Sequence, residues 1–218
     1  SALFTLLAVY ATSMNFTILE ISIVTFLLAV SGAIAQFPIG KISDIYDRRK
    51  VIVFSTFGAA IFSVLAIFVS RQMYLPDGLA TSKTMFYIFF ILFSFCSLPM
   101  FSLILAHTND YISKEKFVAA GAGLQFAFGL GAMSGPFLCS IFMDLIGSNG
   151  FFIFLFIFHS IIGLYGIHRM RVRKTIDNPD SQFVAMPQTI TPAGIELNPT
   201  TEPIEEPVSV KEEKNNLT

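Results

Sequence analysis

Between two long apolar runs the chain reads Gly40-Lys41-Ile42-Ser43-Asp44-Ile45-Tyr46-Asp47-Arg48-Arg49-Lys50. The runs on either side, Ile21–Ile39 and Val51–Ser70, hold no acidic or basic residue. A charge at the bilayer centre costs at least about 2.5–3.5 kcal/mol, so charges gathered between apolar runs mark a membrane boundary. Gly40 closes the first run and lets a neighbouring helix approach closely. Asp44 and Arg48 are four apart and share a face where the segment is helical. Asp44 is also suited to face the positive N-terminal end of another helix. Arg48, Arg49 and Lys50 hold the segment at a lipid surface and meet its phosphates. The same residues also read simply as a basic loop on the inner side of a membrane.

Working outward, about 20 apolar residues are needed to span a bilayer. Five stretches meet that length: Ile18–Ile39, Val51–Ser70, Thr84–Ala106, Phe117–Met143 and Gly150–Ile167. Ala2–Met14 is apolar but short, as the end of a longer helix would be. Lys41–Lys50, Arg71–Lys83, His107–Lys116 and Ser148–Gly150 connect them. Of the 218 residues, 54% are apolar and 13% charged, about half the charge of a typical soluble domain. The fold class expected is all-α: a bundle of about five complete transmembrane helices and one partial helix. Because the chain runs from Ser1 straight into apolar sequence, truncation on the N-terminal side is expected.

Lys and Arg counting orients the bundle. Lys41, Arg48, Arg49, Lys50, Lys114, Lys116, Arg169, Arg171, Arg173 and Lys174 fall on one side, against Arg71 and Lys83 on the other. The first side is expected to be cytoplasmic. Beyond Lys174 the sequence turns proline- and acid-rich, holding six of the ten prolines. Such a segment buries too little to offset its ordering entropy. Residues 175–218 are therefore expected to form a disordered cytoplasmic tail, with a candidate docking motif at Phe183–Pro187.

Several function classes are excluded or unsupported. A net charge of −1 gives no field for nucleic acid. Cys96 and Cys139 sit within apolar segments and suggest neither a disulfide framework nor a metal site. Paired His ligands, a nucleophile elbow and a Gly-Lys-Ser/Thr phosphate loop are all missing from the sequence, so no enzyme and no cofactor are expected. Without an ATP site, transport would run on a gradient.

The spacing G-x-x-x-D-x-x-x-R-R-K resembles the signature loop of the major facilitator superfamily, which joins the second and third helices of each half. The resemblance implies that Gly40, Asp44, Arg48 and Arg49 form a conformational latch on the cytoplasmic side. Asp47 departs from the family pattern, which has Gly before the basic pair, and an acid there is expected to weaken or redirect the latch pairing. Leu105-Ala106-His107-Thr108-Asn109-Asp110, Phe117-Val118-Ala119-Ala120, Gly129-Leu130-Gly131-Ala132 and Gly135-Pro136 resemble the YcaD-like branch, as do Phe183-Val184-Ala185-Met186-Pro187 and Glu196-Leu197-Asn198-Pro199. That resemblance implies residues 1–174 are the C-terminal six-helix half of an inner-membrane transporter, helices seven (partial) to twelve.

Gly123, Ala127, Gly131 and Gly135 recur every four positions and form one seam on a helix. Pro136 follows and is expected to bend or loosen that helix. The seam suits static packing or a helix that rocks against a partner. Among polar groups within spans, Glu20, Gln36 and Gln125 are candidates for substrate or proton contact. Glu20 also lies close enough to a span end to meet interfacial water, and the glutamines suit helix-to-helix hydrogen bonds. His159, midway along the last span, reads as a packed histidine with a proton carrier as the alternative.

The expected function is secondary active transport of a small-molecule substrate, with a coupling ion, by alternating access within a lipid bilayer. It requires an N-terminal half as partner, and this polypeptide alone is expected not to transport. The alternative is a membrane scaffold or sensor that signals through its tail. That alternative has function lost on deletion of 175–218 and kept on substitution of Asp44, whereas the transporter has the reverse. A decayed gene remnant is a third reading.

Overall fold

In lipid every backbone N–H and C=O must be satisfied within its own segment, so long apolar runs become helices. The computed structural model describes residues 2–72, 79–113, 116–172 and 183–186. Seven helices occur among them: α1 (Ala2–Ser13), α2 (Ile18–Ile45), α3 (Arg48–Gln72), α4 (Leu79–Ser97), α5 (Met100–Asn109), α6 (Phe117–Ile146) and α7 (Gly150–Val172). Five spans are long and apolar enough to cross a membrane: α2, α3, Ser82–Asn109, α6 and α7. α1, with 12 residues, is the short one. This is an all-helical, multi-pass membrane bundle.

Two boundaries differ from the sequence reading. The expected span Thr84–Ala106 is broken between α4 and α5 at Leu98-Pro99. Proline lacks an N–H and its ring clashes with the carbonyl four residues back, so the helix restarts there. At the break, the Leu98 side chain occupies the space a Cβ on Gly32 of α2 would need. The second difference is that α2 runs on through Gly40 to Ile45, and α3 begins at Arg48. The eleven-residue stretch read as a loop is thus mostly helix, and only Tyr46 and Asp47 connect the two. Nothing between Lys41 and Ile45 breaks a helix, and Tyr46 turns the chain with extended dihedrals (φ −109°, ψ 162°).

Local signals set the other ends. Thr17 and Glu20 form a reciprocal cap at the start of α2: the Thr17 hydroxyl accepts from the Glu20 N–H, and the Glu20 carboxylate accepts from the Thr17 N–H at 2.7 Å. α6 ends at Gly147, whose φ of +84° suits glycine. α6 continues unbroken through Pro136.

The main core is aromatic. Tyr10, Phe86, Phe90, Phe93, Phe151 and Phe152 are fully buried. The Tyr10 ring stacks on Phe151 at 5.1 Å and meets Phe152 edge-on at 5.1 Å, tying α1 to α7. Polar contacts also cross between helices: Ser94 donates to the Leu28 carbonyl at 2.7 Å, and Ser70 bonds Asn149 at 2.8 Å. α3 packs mainly on α4 and α7, whereas α6 is the least buried span. A second, smaller core of Ala35, Ile39, Val51 and Leu103 lies toward the basic end.

Candidate functional site at the basic end of the bundle

The continuous α2 helix places Asp44 on its final turn, one helical step from the start of α3. Asp47 is the residue just before α3. Its Oδ1 accepts the Arg49 N–H at 3.0 Å, a side-chain cap on that helix. The same carboxylate takes the Arg49 guanidinium, with Nε at 3.1 Å and Nη2 at 2.9 Å. Asp47, the departure from the family spacing, therefore directs Arg49 back onto its own turn.

Arg48 is turned inward and is only 6% exposed. Its Nη2 donates to Asp44 Oδ1 at 2.8 Å and its Nη1 to Asp110 Oδ1 at 2.7 Å. One guanidinium thus ties the end of α2, the start of α3 and the residue following α5. A guanidinium suits this role because its planar fork donates in two directions at once. Asp110, which the sequence singles out only as the last residue of the segment Leu105–Asp110, is the acid that completes the triad. It lies 62 positions from Arg48, and no local spacing signals that meeting. His107 Nδ1 stands 4.0 Å from the other Asp110 oxygen. A cavity of ≈ 220 Å³ beside the triad is lined by Arg49, His107, Thr108, Tyr111, Ile112 and Arg169.

Gly40 lies one turn before Asp44, and Phe183 covers it. A Cβ on Gly40 would overlap the Phe183 ring. The Phe183 N–H donates to Asp44 Oδ1 at 2.8 Å, so this carboxylate oxygen serves both Arg48 and Phe183. Three residues on, the Met186 N–H donates to Ser102 Oγ at 3.1 Å, while the Ser102 hydroxyl donates to the Met186 carbonyl at 2.9 Å. Of the expected disordered tail, Phe183–Met186 is described and lies against α2 and α5. Residues 175–182 and 187–218 lie outside the described residues.

The profile of the Major Facilitator Superfamily matches residues 1–203. The chain belongs to that superfamily. It is 24% identical over 160 residues to an uncharacterized MFS-type transporter of Yersinia enterocolitica, covering 73% of this chain and 37% of the relative. An uncharacterized MFS-type transporter of Methanocaldococcus jannaschii is 34% identical over 68 residues, 31% of this chain and 18% of the relative. An uncharacterized MFS-type transporter of Yersinia pestis is 23% identical over 160 residues, again 37% of its length. The chain thus spans well under half the length of the curated relatives it matches. No solved structure matches. Major facilitators are transporters, so the chemistry to be sought in this chain is binding and conformational change.

The remaining candidate residues of this major facilitator chain are scattered. Glu20 is at the opposite end from the triad. Besides closing the α2 cap, it pairs with Lys83 at 2.6 Å, and Lys83 lies 5.1 Å from the Phe16 ring centre. Gln36 is half-buried on α2. Gln125 on α6 is half-buried too, and its Oε1 is buried with no hydrogen-bond partner among the described residues. Gly123, Ala127 and Gly131 are exposed, and a Cβ built on Gly123 or Gly131 meets nothing within 4 Å. Gly123 and Ala127 therefore open outward from this bundle, whereas Gly131 and Gly135 edge the cavity between α1, α4, α6 and α7.

Gly135 and Pro136 are half-buried, and Gly135 edges a cavity of ≈ 370 Å³ between α1, α4, α6 and α7. Its polar lining comes from Ser97, Ser134 and His159. His159 Nε2 is 2.9 Å from Ser97 Oγ, and its Nδ1 is 2.7 Å from the Leu155 carbonyl. Ser97 and Ser134 were not among the sequence candidates, because a serine in a span carries no distinguishing pattern.

Proposed function

We propose that this chain is the C-terminal six-helix half of a secondary transporter that moves a small molecule by alternating access. The observation that carries the reading is the buried Arg48 bridge between Asp44 and Asp110 within a motif of the superfamily. In this reading Gly40, Asp44, Arg48 and Arg49 act as the cytoplasmic latch. Arg48 holds the ends of α2, α3 and α5 as one rigid plate, and Gly40 and Asp44 present that plate to the opposite half. Arg49 is occupied by Asp47, so its part is to keep the α2–α3 turn rigid.

The exposed small residues Gly123 and Ala127 support a partner bundle, since small residues let membrane helices meet backbone to backbone. The positive-inside rule supports a cytoplasmic basic end and tail, and the YcaD-like resemblance supports an inner membrane. The segments Leu105–Asp110 and Phe183–Pro187 favour the YcaD-like branch. The cavity near His159 suits a small, largely apolar molecule with one hydrogen-bond donor, with the Ser97 and Ser134 hydroxyl oxygens as acceptors.

The test is a metabolite uptake and efflux screen on the full-length protein, comparing wild type with Asp44→Asn. Gradient-driven, saturable flux that the substitution depresses supports the proposal. Flux indifferent to Asp44 removes the latch, and loss of function on deleting 175–218 alone favours a tail-signalling scaffold.

A further inference from the structure

The basic end carries a peptide-docking surface with its occupant in place. Its three parts come from two elements, α2 and α5. Gly40 leaves a notch in α2 that the Phe183 ring fills. The Asp44 carboxylate receives the Phe183 N–H at 2.8 Å. Ser102, 2% exposed, both accepts from and donates to the Met186 backbone, so one hydroxyl satisfies both main-chain groups of that residue. Met186 is itself buried, and Phe183 packs on the small core of Ala35, Ile39, Val51 and Leu103. Aromatic anchor, backbone amide on a carboxylate, and buried methionine are spaced for an extended peptide of four residues.

We propose that Phe183–Met186 is a detachable strap, a tethered peptide ligand that competes with the opposite half of the transporter for Gly40 and Asp44. The competition follows from geometry: the notch that would admit another helix holds the Phe183 ring, and the latch carboxylate already has a backbone donor. Docked, the strap keeps the latch disengaged. Released, it exposes the notch and frees the carboxylate for the opposite half.

This inference rests on the latch reading for its consequence but not for the docking itself, and the two separate experimentally. Nitroxides are placed at Ala185→Cys, an exposed strap position, and Arg71→Cys, at the far end of α3, with Cys96→Ser and Cys139→Ala, in the full-length protein in lipid nanodiscs. A docked strap gives one narrow distance, on the order of 35 Å from the length of α3. Phe183→Ala and Asp44→Asn are each expected to raise the undocked fraction about tenfold, the size of a lost hydrogen bond to a charged group or of a lost aromatic anchor. A synthetic peptide of residues 182–188 in excess is expected to displace the tethered strap. A broad distribution in the parent, or a narrow one that Phe183→Ala and the peptide leave unchanged, overturns the strap. If docking responds as expected but flux ignores Asp44→Asn, the latch reading fails and the docking surface stands.

Discussion

The Arg48 guanidinium joins Asp44 and Asp110 through two hydrogen bonds of 2.8 and 2.7 Å, so residues 66 positions apart in the chain are held by one side chain. All of the positive charge in this triad comes from Arg48, which is almost fully buried. Removing it leaves two carboxylates near each other, Asp110 mostly buried and Asp44 exposed. Arg48→Ala is expected to cost about 1–3 kcal/mol of stability, mostly through Asp110, since solvent screens Asp44. Arg48→Lys is expected to recover only part, because an ammonium lacks the two-way fork. Thermal unfolding of the purified protein in detergent checks both, and equal melting of wild type and Arg48→Ala would show that the bridge contributes nothing.

Asp47 has two duties, capping α3 and holding Arg49. Asp47→Ala is expected to cost about 0.5–2 kcal/mol through the lost cap. Asp47→Ser retains a capping oxygen and is expected to regain most of that loss while leaving Arg49 released. Chemical denaturation of the pair distinguishes the duties. If serine fails to rescue, the Arg49 contact matters more than the cap.

The break between α4 and α5 is keyed to Gly32, where Leu98 occupies the place of a side chain. Gly32→Ala is expected to destabilise by about 1–3 kcal/mol through overpacking. Leu98→Ala in the same molecule should relieve part of the clash, so the double mutant melts above the sum of the singles. Additive losses would place the two residues out of contact.

Glu20 and Lys83 form a partly exposed pair at the opposite end of the bundle. Glu20→Gln is expected to cost under about 1 kcal/mol, with the difference shrinking as salt is raised. A structural cap of this kind leaves flux by the full-length protein within about twofold of wild type at low and high salt alike. A loss of flux beyond about tenfold would assign Glu20 to substrate or proton coupling instead.

The spans were legible because bilayer thickness imposes a length and a composition that few other structures share. Charge-free runs around Gly40–Lys50 were enough to place α2 and α3. The break at Pro99 was written in the sequence but hidden by the apolar residues around it, so the span Thr84–Ala106 was expected as one unbroken helix. The α2 end was misjudged because Lys41 and Asp44 mark the edge of the hydrocarbon, and a helix does not stop where hydrocarbon does. Among site residues, Asp44 and Arg48 declared themselves by their i, i+4 spacing. Asp110 and Ser102 did not, since their partners are reached only through the fold. Phe183 was legible as the first residue of a candidate docking motif, Phe183–Pro187, but the notch it fills is invisible until Gly40 is placed.

The central claim is that the Asp44–Arg48 plate gates transport. Gradient-driven flux by the full-length protein, measured for wild type and Asp44→Asn at matched membrane abundance, tests it most directly. The account predicts saturable flux that falls at least about tenfold in Asp44→Asn, the effect of losing a charge-assisted hydrogen bond. Equal flux from the two proteins would contradict it.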